Sequence, residues 1–270
     1  MAGWYLPNLY YLSTDWIAEN INQIFSIDYD INWRCAMEGY SYFRGVDDAI
    51  YHILRKHGHL TRGLQTDFRN PNVRKKLIQD ISVAYLRGLE TLPNETSLFA
   101  KVLQAWRRED ISEIILFFSK NHIAIKLEDS THALVLDFWR WCYEKIHGQE
   151  KENAEILSDL NLLAVFLKEG ISEEQKSWLI QSAPYVEERY HSWRFLEYLN
   201  ALVDKNPEAV ADIYIEMLTR TVPDMREEVR SIVEKLYQAG LREKTNHIAN
   251  EYGRKGYSDL LRDLYEQYNS

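Results

Sequence analysis

Glycine and proline are scarce in this chain, 11 and 6 in 270 residues. They cluster between apolar runs spaced at three and four, such as Ile213, Met217, Leu218 and then Val229, Ile232, Val233, Leu236. That pattern belongs to stacked helical hairpins and argues against a mixed α/β enzyme fold. Cysteine is scarcer still. Cys35 and Cys142 lack any CxxC companion, so both are expected to be buried thiols in a reducing cytoplasm. No apolar run approaches the roughly 18 residues of a membrane helix. The richest stretch, Ala133 to Tyr143, is broken by Asp137 and Arg140. Met1 to Tyr11 holds no basic n-region, so no signal peptide is expected. The phosphate-cradling Gly-x4-Gly-Lys-Ser/Thr is missing, as are Gly-x-Ser-x-Gly and Gly-x-Gly-x-x-Gly. Nucleotide hydrolysis and serine-hydrolase chemistry therefore lack their apparatus, and no cofactor is expected.

Aromatic residues are plentiful: 8 Trp, 18 Tyr and 9 Phe, a share that suits helix packing and also a partner-binding face. The net charge of −9 opposes whole-surface attraction to nucleic acid or anionic membrane. The balance is uneven, because residues 51–110 hold 11 Lys and Arg against 6 Asp and Glu.

Helix signals follow one another along the chain. Thr14 is placed as an N-cap, with Trp16, Ile17, Ile21 and Ile24 behind it. Helices are expected over about 32–43, 49–57, 73–86 and 98–107, with Gly58 and Gly88 as terminators and Ser97 as a cap. A charged hinge, Arg107-Arg108-Glu109-Asp110, separates the last of these from Ile111–Phe118. Ile123 to Leu127 is the only strand-like alternation, so 119–129 is read as a connector. It divides N-terminal hairpins over 1–122 from a C-terminal repeat stack over 123–270, with one continuous domain as the alternative. Beyond it, helices are expected near 130–146, 152–167, 172–182, 185–204, 207–219, 224–239, 241–252 and 257–267. Pro207 and Pro223 open helices there, and Gly170, Gly240 and Gly253 close them. Connections of 2–5 residues make neighbouring helices antiparallel. No strict period is visible, so any repeats are degenerate. The densely apolar start, Trp4 to Leu12, needs a partner surface: the first hairpin, or a preceding domain.

Several constellations bear on chemistry. Arg55, Lys56, Arg62, Arg69, Arg74, Lys75 and Lys76, with His52, His57 and His59, form a basic block. Seven fixed positive charges have the means to neutralise phosphates, or else they meet acids of the next hairpin. The histidines have no Cys or acidic partner at ligand spacing, so no metal site is expected. Arg140-x6-His147 and Arg242-x4-His247 match the loose pattern of HEPN-type ribonucleases, with an arginine on phosphate and a histidine as general acid or base. Both histidines also fall near helix ends, where the helix dipole accounts for them. The acid pairs Asp47-Asp48, Glu173-Glu174, Glu187-Glu188 and Glu227-Glu228 fall in first helical turns for the same reason. Trp139 and Trp141 stand about 200° apart on a helix, so one core stripe cannot hold both.

The C-terminal order of features carries a resemblance. Asn206-Pro207-Glu208-Ala209-Val210-Ala211-Asp212-Ile213-Tyr214 leads to Met217-Leu218. Ile232 to Gly240, Tyr252-Gly253-Arg254-Lys255-Gly256 and Leu260 to Glu266 follow. Over roughly the last quarter of the chain this resembles the closing helical region of large bacterial defence proteins that carry a sirtuin-like or NACHT-type effector domain upstream. Trp33, Met37, Glu38-Gly39-Tyr40 and the Leu60-to-Leu77 segment are also reminiscent of it. In such proteins the helical region implies target sensing or oligomer scaffolding, with the chemistry in a domain not in this sequence. No catalytic residue carries over.

The expectation is thus an all-α chain of about twelve helices, estimated from the helix signals. Stacked antiparallel helical hairpins would form a right-handed α-solenoid of the HEAT or tetratricopeptide kind. The expected function is a non-catalytic interaction module, the sensor or scaffold segment of an antiphage defence protein, with a protein partner. Its contact candidates are the seven cations named above. The alternative is a nucleic-acid-binding protein or HEPN-like ribonuclease using the 51–76 stretch.

Overall fold

A computed structural model describes residues 2–43, 45–92, 94–125, 129–167, 170–186, 190–223 and 225–270. Every element in them is helical, and they hold no strand. The chain divides into two compact units, Met1–Phe117 and Phe118–Ser270.

After a 3₁₀ turn at Ala2–Tyr5, the first unit contains α1 (Leu6–Leu12), α2 (Thr14–Ile24), α3 (Asp30–Ser41), α4 (Asp48–Lys56), α5 (His59–Gln65), α6 (Pro71–Leu86) and α7 (Leu98–Ala105). The division falls within α8 (Arg108–Lys120). The second unit continues with α9 (His122–Ile125), α10 (Asp129–Ile146), α11 (Ala154–Leu160) and α12 (Glu173–Ser182), with 3₁₀ turns at Asn161–Phe166 and Ala183–Tyr185. It ends with α13 (Tyr190–Leu202), α14 (Pro207–Leu218), α15 (Arg226–Gln238), α16 (Arg242–Arg254) and α17 (Ser258–Asn269).

Local chemistry accounts for several boundaries. The Asp47 carboxylate accepts from the Ala49 and Ile50 amides at 3.0 Å and so opens α4. Ser172 and Gln175 form a reciprocal capping box on α12. Pro71 and Pro207 sit in first turns, where a missing N–H costs nothing. Gly240 closes α15 in the left-handed region at φ 80°, and the Leu241 amide returns to the Leu236 carbonyl at 3.1 Å.

Several expectations need correcting. Ser13, not Thr14, caps α2, its hydroxyl accepting from the Trp16 amide at 3.4 Å. Residues 122–125 form a helical turn rather than a strand-like segment, while Lys126 and Leu127 lie outside the described residues. Gly253 is inside α16, which Gly256 terminates at φ 92°. The charged hinge is the start of α8, because Trp106 adopts φ 47° and α7 ends at Ala105, two residues before the expected end. Cys35 is exposed and only Cys142 is buried. On α3 the buried arc holds Trp33, Ala36, Met37 and Tyr40, and Cys35 points about 150° away from its centre at about 100° per residue. The acid pairs at 173–174 and 227–228 occupy first turns, and Glu187-Glu188 lies outside the described residues. Seventeen α-helices are present among the described residues rather than about twelve.

Helices pack on the second helix along as well as on the next. In the second unit α12, α14 and α16 pack in succession, and so do α13, α15 and α17. Many of the polar contacts between helices recur at similar separation. Arg140 reaches Glu174 (34 positions on), Tyr214 reaches Tyr252 (38), Arg230 reaches Asp263 (33), and Lys244 reaches back to Glu208 (36). The first unit keeps the same register: Asn22 with His57 (35), Arg62 with Asp30 (32), Arg74 with Asp110 (36) and Gln79 with Glu113 (34). Each such pair spans about one helix–turn–helix.

Cores are aromatic. Tyr85 and Phe99 stack at 4.0 Å in the first unit, and Tyr143 and Trp178 at 5.5 Å in the second. Trp139 is fully buried beside that second pair while Trp141 is half-buried, so the two tryptophans do divide between faces. Tyr252 donates to the Pro223 carbonyl at 2.9 Å, which leaves Tyr214 to donate to the Tyr252 oxygen at 2.7 Å.

Candidate functional site

The seven cations of the basic block stand on four successive pieces of the first unit. Arg55 and Lys56 lie in the last turn of α4, Arg62 is on α5, Arg69 precedes α6, and Arg74, Lys75 and Lys76 lie in its first turns. Consecutive helical residues point about 100° apart, so a run of three does not make one patch. Arg74 clasps both carboxylate oxygens of Asp110 at 2.7 and 2.6 Å and donates to the Leu64 carbonyl. Lys75 meets Glu113 at 3.0 Å. Lys76 turns the other way, onto Asp80 and the Gly45 carbonyl. Arg55 reaches Glu90 at 3.1 Å, and Arg62 pairs with Asp30 at 2.9 Å while lying over the Trp33 ring. Lys56 and Arg69 are exposed and have no acidic partner among the described residues.

Arg74 and Lys75 line a cleft of about 380 Å³ with Phe68, Pro71 and Ile78. Its other charged groups are Arg107, Asp67, Glu109, Asp110 and Glu113, so acids outnumber bases at its wall. The Asp110 hydrogen bonds raise the Arg74 pKa further above its usual value. A phosphate entering here displaces Arg74 from a bidentate carboxylate that is almost fully buried, which sets attraction against a large desolvation cost.

Two buried acids nearby had no signal in the sequence. Glu90 follows α6 in a turn. One of its oxygens accepts from the Tyr51 hydroxyl at 2.8 Å and forms an ion pair with Arg55, and the other accepts from the Leu98 amide at 2.7 Å. It thereby satisfies an otherwise unpaired N–H of α7. Asp80 is fully buried, with one oxygen on Lys76 and the other without a partner.

Burial pushes the Asp80 carboxyl up to about 6 from 3.8, against the opposing pull of Lys76. A raised acid favours the folded state when protonated. Its contribution is complete below the unfolded value and is lost as pH rises through about 6, a difference of about 3 kcal/mol. His59 works in the opposite sense. Its Nδ1 accepts from the Trp33 indole, its Nε2 donates to the Asn22 amide oxygen, and burial pulls it down to about 4 from 6.5. That contribution is present above the unfolded value and is lost as pH falls through about 4. The two groups oppose one another across the same window. Asp80→Asn is therefore expected to lose stability relative to the parent chain by up to about 3 kcal/mol more at pH 4 than at pH 7. Urea midpoints across that range measure it, and a difference between the two proteins that stays constant with pH refutes the assignment.

The ribonuclease-like pairs are not assembled as pairs. Arg140 donates to Glu174 at 2.9 and 3.1 Å and to Asp137 at 3.0 Å, and His147 is exposed beyond the end of α10. Seven residues of helix put them about 10 Å apart along the axis. Arg242 and His247, both exposed on α16, differ by about 140° in direction.

Among the described residues no three His, Cys, Asp or Glu side chains group closely enough to hold a metal ion. No helix of theirs is long and apolar enough to cross a membrane. Comparison of the chain with models of known protein families, with curated proteins and with solved structures found no match.

Proposed function

We propose that this chain is a non-catalytic helical-repeat interaction module. In this reading its hairpins form an α-solenoid, and the chain serves as a sensor or scaffold segment of the kind found in bacterial antiphage defence proteins. The observation that carries the reading is the separation of most cross-element side-chain polar pairs, 31 to 39 residues, with shorter ones of 21 to 26. It brackets the roughly 34-residue unit of tetratricopeptide arrays and falls short of the 40–47 of most HEAT repeats. Helices packing on their second neighbours in two rows support it as well. Repeats of this kind present extended side-chain surfaces, which suit protein recognition more than chemistry. The pairing of five of the seven cations with acids weighs against the nucleic-acid alternative.

The test is affinity capture on the tagged chain from a lysate of the source organism, at two salt concentrations, reading both protein and nucleic acid. One protein enriched at both salts is the expected result. Nucleic acid enriched alone at low salt, and lost with a Lys56→Glu/Arg69→Glu variant, overturns the proposal in favour of phosphate binding.

A further inference from the structure

Among the described residues eleven large hydrophobic side chains are exposed, and nine of them fall between Trp4 and Tyr42. The segment carrying them is held in place by close backbone packing. A Cβ on Gly3 would stand 1.9 Å from the Ala36 carbonyl oxygen, so only glycine lets the 3₁₀ turn lie against α3. Trp4 then stacks on Tyr42 at 5.3 Å. On α2, Ile17 and Ile21 are buried, while Asp15, Trp16, Glu19 and Gln23 share the opposite arc of about 100° and face solvent. Tyr11 and Leu12 lie just before that arc and are 90% and 78% exposed.

The charge here differs in kind from that of the basic block. Residues 1–43 hold five acids and one base. Asp30 is paired with Arg34 and Arg62, but Asp15, Glu19 and Asp28 have no cationic partner among the described residues. Elsewhere hairpins meet through apolar contact edged by cross-hairpin ion pairs, such as Arg62–Asp30 and Lys244–Glu208. The surface of α1 and α2 offers one half of such a junction: Tyr11, Leu12 and Trp16 are exposed, and the carboxylates of Asp15 and Glu19 share the arc of Trp16.

We infer that the outer face of α1 and α2 docks an amphipathic helix of a different protein, one whose apolar stripe is flanked by Lys and Arg. The inference rests on reading the chain as an interaction module. Charge selects the occupant. Unpaired carboxylates repel nucleic acid and anionic membrane. Two copies meeting through this face set Asp15, Glu19 and Asp28 against themselves. A copy offering α17 brings Asp259, Asp263 and Glu266 against one Arg262, again like charge on like. A helical surface has no open strand edge, so the partner lays a helix along it rather than adding a strand.

The probes are two labelled synthetic helices of about 18 residues with the same leucine stripe, one flanked by Lys and Arg and the other by Glu. Fluorescence anisotropy with the full chain is expected to show the basic probe bound at least about 10-fold more tightly. An Asp15→Lys/Glu19→Lys/Asp28→Lys variant should reverse that preference, and Trp16→Ala should weaken binding of the basic probe. All the substitutions are at exposed sites, and unchanged circular dichroism verifies folding. Equal binding of the two probes, or a preference that survives the triple variant, overturns the assignment, since the rest of the chain remains acidic. Self-association in sedimentation that the triple variant abolishes also overturns it, giving the face to a second copy. Repeating the affinity capture with the triple variant separates the two proposals. A partner retained by the variant refutes this face and leaves the module intact, whereas a parent chain that captures no protein refutes the module itself.

Discussion

Replacing Glu90 with alanine should cost the chain about 3–5 kcal/mol, the range for removing one partner of a buried charged network. One side chain connects two helices there: Tyr51 and Arg55 of α4 on one oxygen, and the first amide of α7 on the other. Glu90→Ala strands all three donors, two of them in the interior. Glu90→Gln keeps an oxygen for Tyr51 or Leu98 and should cost about 1–2 kcal/mol. Tyr51→Phe removes one donor and should cost about 1 kcal/mol. Urea denaturation of the three variants yields the order. If Glu90→Ala falls within about 0.5 kcal/mol of the parent chain, the network does not hold α4 and α7 together.

Arg74→Ala should rank beside it, at about 3–5 kcal/mol, because it leaves Asp110 buried with its charge uncompensated. Lys75→Ala removes an exposed partner of Glu113 and should cost under about 1 kcal/mol. Lys56→Ala and Arg69→Ala touch no acid among the described residues and should stay within about 0.5 kcal/mol of the parent. This ordering bears on function as well. A loss of nucleic-acid affinity in Arg74→Ala is confounded with a loss of fold, whereas the two single cations report phosphate binding cleanly. An Arg74→Ala chain of unchanged stability would show that Asp110 does not hold that guanidinium.

Much of the helix order was legible because helix ends have their own chemistry. Pro207 and Gly240 both mark ends in the sequence, and α12, α14 and α15 begin or end within about two residues of expectation. Gly253 misled because a glycine is also tolerated inside a helix at a modest cost. The short α5 was missed, since seven residues carry too little periodicity to register. The recurring separation of the polar pairs was invisible for a different reason. Arginine with aspartate performs the same task at one junction as two tyrosine hydroxyls or lysine with glutamate at another. The separations are alike where the residue types are not. The sequence left the basic block two fates, contact with phosphates or pairing with acids of the next hairpin, and only the α6 helix twist and the acids of α8 show how its charges divide.

A stack of hairpins makes each helix pair depend chiefly on its neighbours, and removing the last pair tests that dependence. Ending the chain after Gly240 deletes α16 and α17 and takes the Tyr252 hydroxyl away from Tyr214. The measurement is amide hydrogen exchange on the shortened chain. Protection over residues 129–167 and 190–202 should persist, with loss confined to α14 and α15, which packed on the deleted helices. If protection collapses together across all of these residues, the second unit is one undivided core and not a stack of hairpins.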